Sequence, residues 1–364
     1  MSQFTQPRPD ELELSLFGPG IGECAVVHLG AGNWMTVDSC LNAADKAIAI
    51  DYLERIGVTV SSQVKLVAVT HWHDDHIRGA GQLLRHATNA RFVCSAAMLS
   101  EEFITLVTAG EETKLVAGSS GLAEFADILE TIQSRVAGKA AAGPAHWACE
   151  GMCLFRDNTV EVHSVSPSAQ TITDAKGQIA ALIPMLNDSM RAFPNVAPND
   201  LSVVMLVVSP GVHLLLGADL EQGRNDQCGW RGVVASTVRP AVMSSVYKVA
   251  HHGSEGADIP SIWTRLLVPK PHAMVTPYAR GTKPLPSPAD IKRLQNVADR
   301  LYITVSPTTT KPPRRKNADR TINEIALRRG AVRKTPGHIR LRVPLAGSAT
   351  NIKIELFDGA TQLK

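Results

Sequence analysis

Three histidines and two aspartates lie in one six-residue segment, residues 71–76, directly after a short apolar run rich in β-branched residues. Such a run predicts a buried strand. Residues two positions apart in an extended chain point the same way, so His71 and His73 can hold one ion. Asp75 and His76 follow at a turn and can face a second ion. Imidazole and carboxylate ligands suit Zn²⁺, with Mn and Fe as alternatives, so the segment predicts a metal site.

The order His-x-His-x-Asp-His after a strand resembles the signature of the metallo-β-lactamase superfamily. Residues 12–39 are similar to the first strands of that family. Three later motifs, Asn-Asp-x-Ser at 199–202, Gly-Ala-Asp at 217–219 and His-His-Gly-Ser at 251–254, are most similar to the branch that includes the soluble domain of DNA-uptake competence proteins. The resemblance covers about residues 11–290 and implies an α/β fold, the αββα sandwich.

The resemblance also implies a dinuclear metal centre. The implied ligands are His71 and His73 for the first ion, Asp75, His76 and one of two adjacent histidines for the second, and Asp219 as a bridge between them. Of the adjacent pair, His251 is favoured as the ligand because it directly follows a strand, which leaves His252 to face the substrate. An aspartate at a strand end is often a turn former, and the order of the motifs is what favours a ligand role for Asp219.

The third ligand of the first ion is the point at which the sequence departs from the family pattern. A histidine is expected between the two groups of motifs, and His163 is the nearest one, although it lies far before Asp219. Asn199 and Asp200 are closer to the expected place. All three are weaker candidates, and His163 is better explained as an ordinary strand residue.

The metal chemistry predicts a hydrolase. Two ions about 3.5–4 Å apart hold a bridging hydroxide, which is a nucleophile at neutral pH. The predicted catalytic carboxylates are Asp75 and Asp219. The competence-like motifs imply a phosphodiesterase or nuclease acting on nucleic acid or nucleotides. A thioester, lactone or amide hydrolase on the same two ions and a non-enzymatic partner subunit are the alternatives. The sequence has no Gly-x-Ser-x-Gly elbow that would indicate a serine nucleophile.

Substrate contacts are expected near the last histidine motif. The predicted substrate-binding residues are His252, Ser254, Tyr278, Arg280 and Lys283. Where the competence branch has Asn-x-Tyr-Gly-His-Pro, this chain has a proline-rich loop that carries the last two of these residues. Their charges could hold a phosphate or a carboxylate, or belong to an ordinary surface loop.

Composition and length fit a catalytic domain with a large core. The 364 residues are 44% hydrophobic, with no run long enough to span a membrane and no signal-peptide pattern at the start, which predicts a cytoplasmic protein without membrane contact. Six scattered cysteines fit a reducing compartment. His146, Cys149 and Cys153 could form part of a small zinc site, although the spacing is loose and a fourth ligand is not evident.

Two regions are predicted to be additions to the catalytic domain at 1–310. The first is a helical insertion at about 96–158, with apolar residues at helical spacing in 122–132, which could pack on the core, cover the site or form a dimer contact. The second is a C-terminal extension, 311–364, whose net charge is +9 against +3 for the whole chain. The basic residues at 314–316 and 328–329 could neutralise phosphates of a nucleic acid, and the segment 339–343 alternates as a strand with one basic face. Alternatively, two short terminal strands pair and cover the edge of the domain.

Overall fold

The computed structural model describes residues 3–112, 120–139, 144–183, 198–279, 284–298, 300–306 and 336–363. Its strands form two eight-stranded mixed sheets, with strands numbered in chain order. The first sheet contains β1 (Glu11–Gly18), β2 (Cys24–His28), β3 (Trp34–Val37), β4 (Val64–Val69), β5 (Arg91–Ser95), β6 (His146–Ala148), β14 (Gly337–Pro344) and β15 (Lys353–Phe357). The second contains β7 (Met152–Arg156), β8 (Glu161–Ser164), β9 (Met205–Val208), β10 (Leu214–Leu216), β11 (Ser244–Lys248), β12 (Leu267–Val275), β13 (Arg300–Ile303) and β16 (Thr361–Leu363).

Helices lie on the outer face of each sheet. They are α1 (Ile48–Arg55), α2 (Val60–Gln63), α3 (Asp74–Ile77), α4 (Ala80–His86), α5 (Glu101–Glu112), α6 (Ser120–Ala137), α7 (Ala169–Leu182), α8 (Gly229–Ala235), α9 (Pro260–Arg265) and α10 (Pro288–Val297). One hydrophobic core joins α1, α4, α5 and α6 to the first sheet, and another joins α8, α9 and α10 to the second. A third core lies between the sheets. The expected four-layer αββα arrangement is therefore confirmed.

Strand direction brings the predicted ligands together. The strands β10, β11 and β12 are parallel neighbours, and so are β3, β4 and β5. The carboxyl ends of parallel strands meet at one edge of a sheet. The histidine motif of residues 71–76 follows β4, Asp219 follows β10, and the His251-His252 pair follows β11. The predicted metal ligands of both sheets therefore lie at one end of the sandwich.

The helices α5 and α6 of the predicted insertion pack on the core and on the metal motif, whereas the last part of the predicted span forms β6 and β7 of the two sheets. Phe103 of α5 and Phe125 of α6 are fully buried, and their rings lie 5.3 Å apart between centroids. Phe103 also contacts Trp72, with the ring centroids 4.8 Å apart. Of the three roles considered for the apolar face of α6, the structure supports core packing. The insertion therefore supports the loop that carries His71 and His73.

The close approach of α6 to this loop allows a first prediction. A Cβ atom added at Gly121 would lie 2.0 Å from the backbone oxygen of Trp72, so the helix or the loop must move. We expect Gly121→Ala to reduce the free energy of unfolding by about 1–3 kcal/mol, as overpacking does elsewhere. It should also weaken metal binding. Chemical denaturation and metal titration measure the two effects. Gly177→Ala is the control, since nothing lies within 4 Å of an added Cβ there. Equal behaviour of the two variants would contradict the proposed contact.

The C-terminal strands are part of both sheets. β14 pairs with β1 along its whole length and with β15 on its other side, while β16 pairs with β13. The pairing of the last two predicted strands is confirmed. The predicted basic face is corrected, because Arg340 is 1% exposed and paired with Glu355, and Arg342 is paired with the buried Glu13. These arginines stabilise the sheet and do not face a phosphate.

The remaining basic residues predicted to contact nucleic acid, at 314–316 and 328–329, lie outside the described residues. No described helix is both long and apolar enough to span a membrane.

Candidate metal centre

The residues at the end of β4 form the first half of the centre. His71 is fully buried in the loop that follows β4, and His73 ends this loop two residues later. His71 Nε2 lies 3.0 Å from His73 Nδ1 and 4.0 Å from Asp219 Oδ2. All three ligand atoms fall within 4.8 Å of one another. The arrangement can hold one ion between two imidazoles and a carboxylate.

The second half of the centre shares the same aspartate. His76 Nε2 lies 3.2 Å from Asp219 Oδ2 and 3.6 Å from Asp75 Oδ2. His252 Nε2 lies 3.5 Å from Asp219 Oδ2 and 3.1 Å from Asp75 Oδ2. Two imidazoles and two carboxylates therefore converge on one point beside the first group. Asp219 Oδ2 is common to both halves, which is the position of a bridging ligand.

Hydrogen bonds on the far side of each imidazole fix its orientation. His76 Nδ1 lies 2.8 Å from Asp38 Oδ2, and His252 Nδ1 lies 3.0 Å from the backbone oxygen of Thr276. Each acceptor requires a proton on Nδ1, which leaves the Nε2 lone pair directed at the centre when the ring is neutral. Carboxylates and carbonyls behind the histidines are the usual outer partners of metal ligands.

Two buried polar atoms at the centre have no hydrogen-bond partner among the described residues. They are His76 Nε2 and Asp219 Oδ1. A buried polar atom without a partner is costly, and a native protein rarely leaves one without a reason. Both atoms belong to residues that converge on the same point, and both are metal-ligand atoms. The residues present therefore fit a divalent ion.

The electrostatics of the centre point to the same conclusion. Burial opposes charge on His76, yet Asp219 and three further carboxylates raise its pKa well above the ordinary value. Burial similarly opposes charge on Asp219, but His76 and His252 lower its pKa. His71 is the contrast, because burial lowers its pKa and keeps the ring neutral. Such a surplus of buried carboxylate charge is what a divalent cation neutralises.

Comparison with known proteins supports the fold and the metal motif. The model of the metallo-beta-lactamase superfamily matches residues 17–160. This segment is similar to that superfamily over its matched length. The match includes the histidine motif at 71–76. Asp219 and His252 lie beyond the matched residues, so their place in the centre rests on the geometry given above.

The solved structures most similar to the chain show low identity. A Cronobacter sakazakii metallo-beta-lactamase with a HARLDQ motif is 13% identical over 58% of this chain and 63% of its own length, with a TM-score of 0.30. The metallo-beta-lactamase fold protein YhfI from Bacillus subtilis is 7% identical over 65% and 69%, with a TM-score of 0.32. A variant of the CmlA β-hydroxylase is 13% identical over 72% and 39%, with a TM-score of 0.36. The chain therefore spans less than two thirds of the first of these proteins. No curated protein matches the chain.

The structure places His252, and not the favoured His251, beside Asp75 and Asp219. His251 is partly exposed, and its ring lies near Glu221 and Asn199, at 3.5 Å in each case. His252 is 2% exposed and reaches Asp75 and Asp219. The preference for His251 rested on its place directly after the strand. That argument failed because both residues have positive φ, 45° and 53°, so the chain turns sharply between them.

Such backbone angles recur around the candidate metal centre. Asp38 has φ of 60° and Ala218, directly before Asp219, has φ of 47°. L-residues avoid this region, and each occurrence costs about 1–3 kcal/mol. Both residues directly contact or position a ligand of the centre. The fold therefore maintains strained backbone where the ligands are placed.

The weaker candidates for the first ion occupy different places. His163 lies on β8 beside Glu161, away from the centre. Asn199 Nδ2 donates to Glu221 Oε1 at 2.9 Å, while its buried Oδ1 has no partner among the described residues. Asp200 lines a small pocket with Arg224, and burial raises its pKa. Of the three, Asn199 alone combines a free ligand atom with a place beside His251.

Three of the five predicted substrate-binding residues lie in the described part of the chain, and His252 among them lies with the metal-ligand groups. Tyr278 stacks on His252, with the ring centroids 5.3 Å apart. The hydroxyl of Ser254 accepts a bond from the backbone N–H of Gly256 at 3.3 Å, so it caps a short helix. Arg280 and Lys283 lie outside the described residues. Tyr278 is therefore the described candidate for a substrate contact, in addition to the ligands themselves.

Sequence reasoning missed a buried ion pair beneath the centre. Lys248 Nζ lies 2.5 Å from Glu23 Oε1 and donates to the backbone oxygen of Ala218 at 3.0 Å. Glu23 lies in turn 3.6 Å from His76 Nδ1 and 3.8 Å from His252 Nδ1. The one available signal was a lysine at the end of a strand that carries no other charged residue. The pair supports both histidines of the second ion from behind.

Proposed function

We propose that this chain is a metal-dependent hydrolase whose centre binds two divalent ions, Zn²⁺ foremost, with Mn or Fe as alternatives. The observation that carries the proposal is that His76 Nε2 and Asp219 Oδ1 make no hydrogen bond among the described residues, although both are buried in a group of histidines and carboxylates. A partner subunit without activity would have no need to bury such a group, since unpaired buried polar atoms are costly.

When bound, such ions lower the pKa of water and stabilise charge on a leaving oxygen. The protein contributes position and protonation state. Asp38 and the backbone oxygen of Thr276 hold His76 and His252 with the ligand nitrogen directed inward. Asp219 reaches both halves of the centre from a loop that the strained Ala218 turns inward. Burial excludes bulk water from the inner side, which strengthens these electrostatic interactions.

For the substrate class we propose phosphodiesters, in nucleic acid or nucleotides. The support is the combination of motifs at 199–202, 217–219 and 251–254, which resembles the branch of the DNA-uptake competence proteins. Two ions at one bridging carboxylate also suit in-line displacement at phosphorus. Tyr278, stacked on His252, offers an aromatic face beside the centre on which a base can stack. The second candidate is a thioester, lactone or amide substrate at the same centre.

A paired assay tests the proposed reaction and its site. We expect the protein loaded with Zn²⁺ or Mn²⁺ to accelerate hydrolysis of bis(p-nitrophenyl) phosphate more than that of p-nitrophenyl acetate or a thioester. Each acceleration is the rate with protein divided by the rate with the same metal in buffer. Asp75→Ala should reduce the phosphodiester rate by about 100-fold or more, because even the outer partners of metal ligands contribute about 10–100-fold. Measured kcat/KM on the three substrates gives both results.

The neighbouring residue supplies the matched control for this assay. Asp74 lies one position before Asp75, but its carboxylate lies beside Gly121 of α6, whereas that of Asp75 contacts His76 and His252. We expect Asp74→Ala to keep most of the rate. Turnover of carbonyl substrates alone would refute the phosphodiester proposal and leave the metal hydrolase intact. Equal rates for Asp75→Ala and Asp74→Ala would refute the site.

A further inference from the structure

A second group of metal-ligand side chains lies on the β7–β8 hairpin of the second sheet. Cys153, Glu161 and His163 place a thiol, a carboxylate and an imidazole so that their ligand atoms lie within 4.8 Å of one another. The residues of the dinuclear centre come from the loops after β4, β10 and β11, and none of them is shared with this group. The sequence had indicated a zinc site with Cys153 but paired it with His146 and Cys149, which the structure does not bring together with it.

Strand pairing explains why these three side chains meet. Cys153 is the direct antiparallel partner of His163. Side chains at directly paired positions lie on the same face of a sheet, and so do residues two apart on one strand. Glu161 therefore shares the face with His163, two positions away. An irregularity in register after Cys153 pairs Glu161 with Arg156. The fold places the group independently of flexible loops.

The contacts of the group are compatible with metal binding. His163 is 8% exposed, and its Nε2 lies 2.6 Å from Glu161 Oε2. The other carboxylate oxygen of Glu161 lies 2.8 Å from Arg156 Nε, which orients the carboxylate and leaves Oε2 toward the histidine. The Cys153 thiol is exposed, so an ion can enter from solvent. To bind an ion, His163 Nε2 and Glu161 Oε2 need to move apart only slightly, since each zinc ligand lies about 2.0–2.3 Å from the metal.

We propose that Cys153, Glu161 and His163 form a mononuclear zinc site separate from the dinuclear centre. Thiolate, imidazole and carboxylate are each zinc ligands, and thiolate favours Zn²⁺ over the harder Mg²⁺, Ca²⁺ and Mn²⁺. Three protein ligands leave a fourth position for water. β7 is the edge strand of its sheet, so the ion ties this edge to β8. Edge strands lack a pairing partner on one side, and the ion stabilises the hairpin there.

Cobalt substitution separates this site from the dinuclear centre. The candidate ligands of the dinuclear centre are imidazoles and carboxylates, whereas the proposed site also has a thiolate. We expect metal-free full-length chain titrated with Co²⁺ to develop a near-ultraviolet band of thiolate-to-cobalt charge transfer. Cys153→Ser should abolish the band. Cys149→Ser, four residues away, should keep it.

A second measurement covers the metal count. In an Asp219→Ala background, which weakens the dinuclear centre, equilibrium dialysis should still show one tightly bound Zn²⁺ per chain. Adding Cys153→Ser should remove it, and circular dichroism checks that each variant is folded. The proposal is overturned if wild-type chain gives no charge-transfer band, if the band survives Cys153→Ser, or if Cys149→Ser removes it. None of these outcomes depends on whether the chain hydrolyses phosphodiesters.

Discussion

Asp219→Ala should eliminate hydrolysis and remove both ions of the dinuclear centre while the chain remains folded. Asp219 Oδ2 is the one atom common to both halves, 4.0 Å from His71 Nε2 and 3.2 Å from His76 Nε2. Without the ions, nothing lowers the pKa of water, and no nucleophile is left at neutral pH. We therefore expect turnover no faster than that of metal in buffer.

The measurement is kcat/KM beside the metal content of dialysed protein. Asp219→Asn tests the role of charge, because the amide keeps the size of the side chain but loses the negative charge shared with His76 and His252. Asp226→Ala is the control, since this aspartate is exposed on a surface loop and lies outside the group of ligand atoms. A folded Asp219→Ala chain that retains both ions and wild-type turnover would remove Asp219 from the centre.

The histidine motif was predictable because its chemistry is local. His71 and His73 leave one strand and His76 follows on the next short helix, so spacing alone places them together. Asp219 required one more step, the end of an apolar hairpin in the expected order of motifs. The layered architecture was implied by the resemblance to the metallo-β-lactamase superfamily, which rests on the order of the motifs. These features depend on residues close in sequence or on the order of the elements.

The features that were missed depend on tertiary contacts. Glu23 and Lys248 are 225 positions apart in sequence, and nothing at either position indicates the other. The choice between His251 and His252 depended on two backbone angles with positive φ, which a strand pattern does not indicate. Arg340 alternates with apolar residues as a solvent-facing residue would, but β15 covers it and supplies Glu355. In each case the role of the residue depends on an element that is distant in sequence, which the local sequence pattern does not indicate.

Replacing Lys248 by methionine should destabilise the chain by about 3–5 kcal/mol, the cost of removing one partner from a buried ion pair. Lys248 is 2% exposed and Glu23 is 4% exposed, so the remaining carboxylate has no access to water. Burial alone would lower the pKa of Lys248, but Glu23 and Asp219 outweigh it and raise the pKa. This stabilisation is therefore present below the ordinary lysine pKa and is lost as pH rises through the raised value.

Urea denaturation of metal-free protein measures this effect apart from metal binding. The chain offers a matched control in Lys46 and Glu54, whose N–O distance is also 2.5 Å but whose side chains are 34% and 48% exposed. We expect Lys46→Met to change stability by no more than about 1 kcal/mol, the range of surface pairs. The double variant Lys248→Met with Glu23→Gln should recover part of the loss, because it also removes the unpaired charge. If Lys248→Met matched Lys46→Met, burial would not determine the strength of this pair, and Glu23 would need another partner.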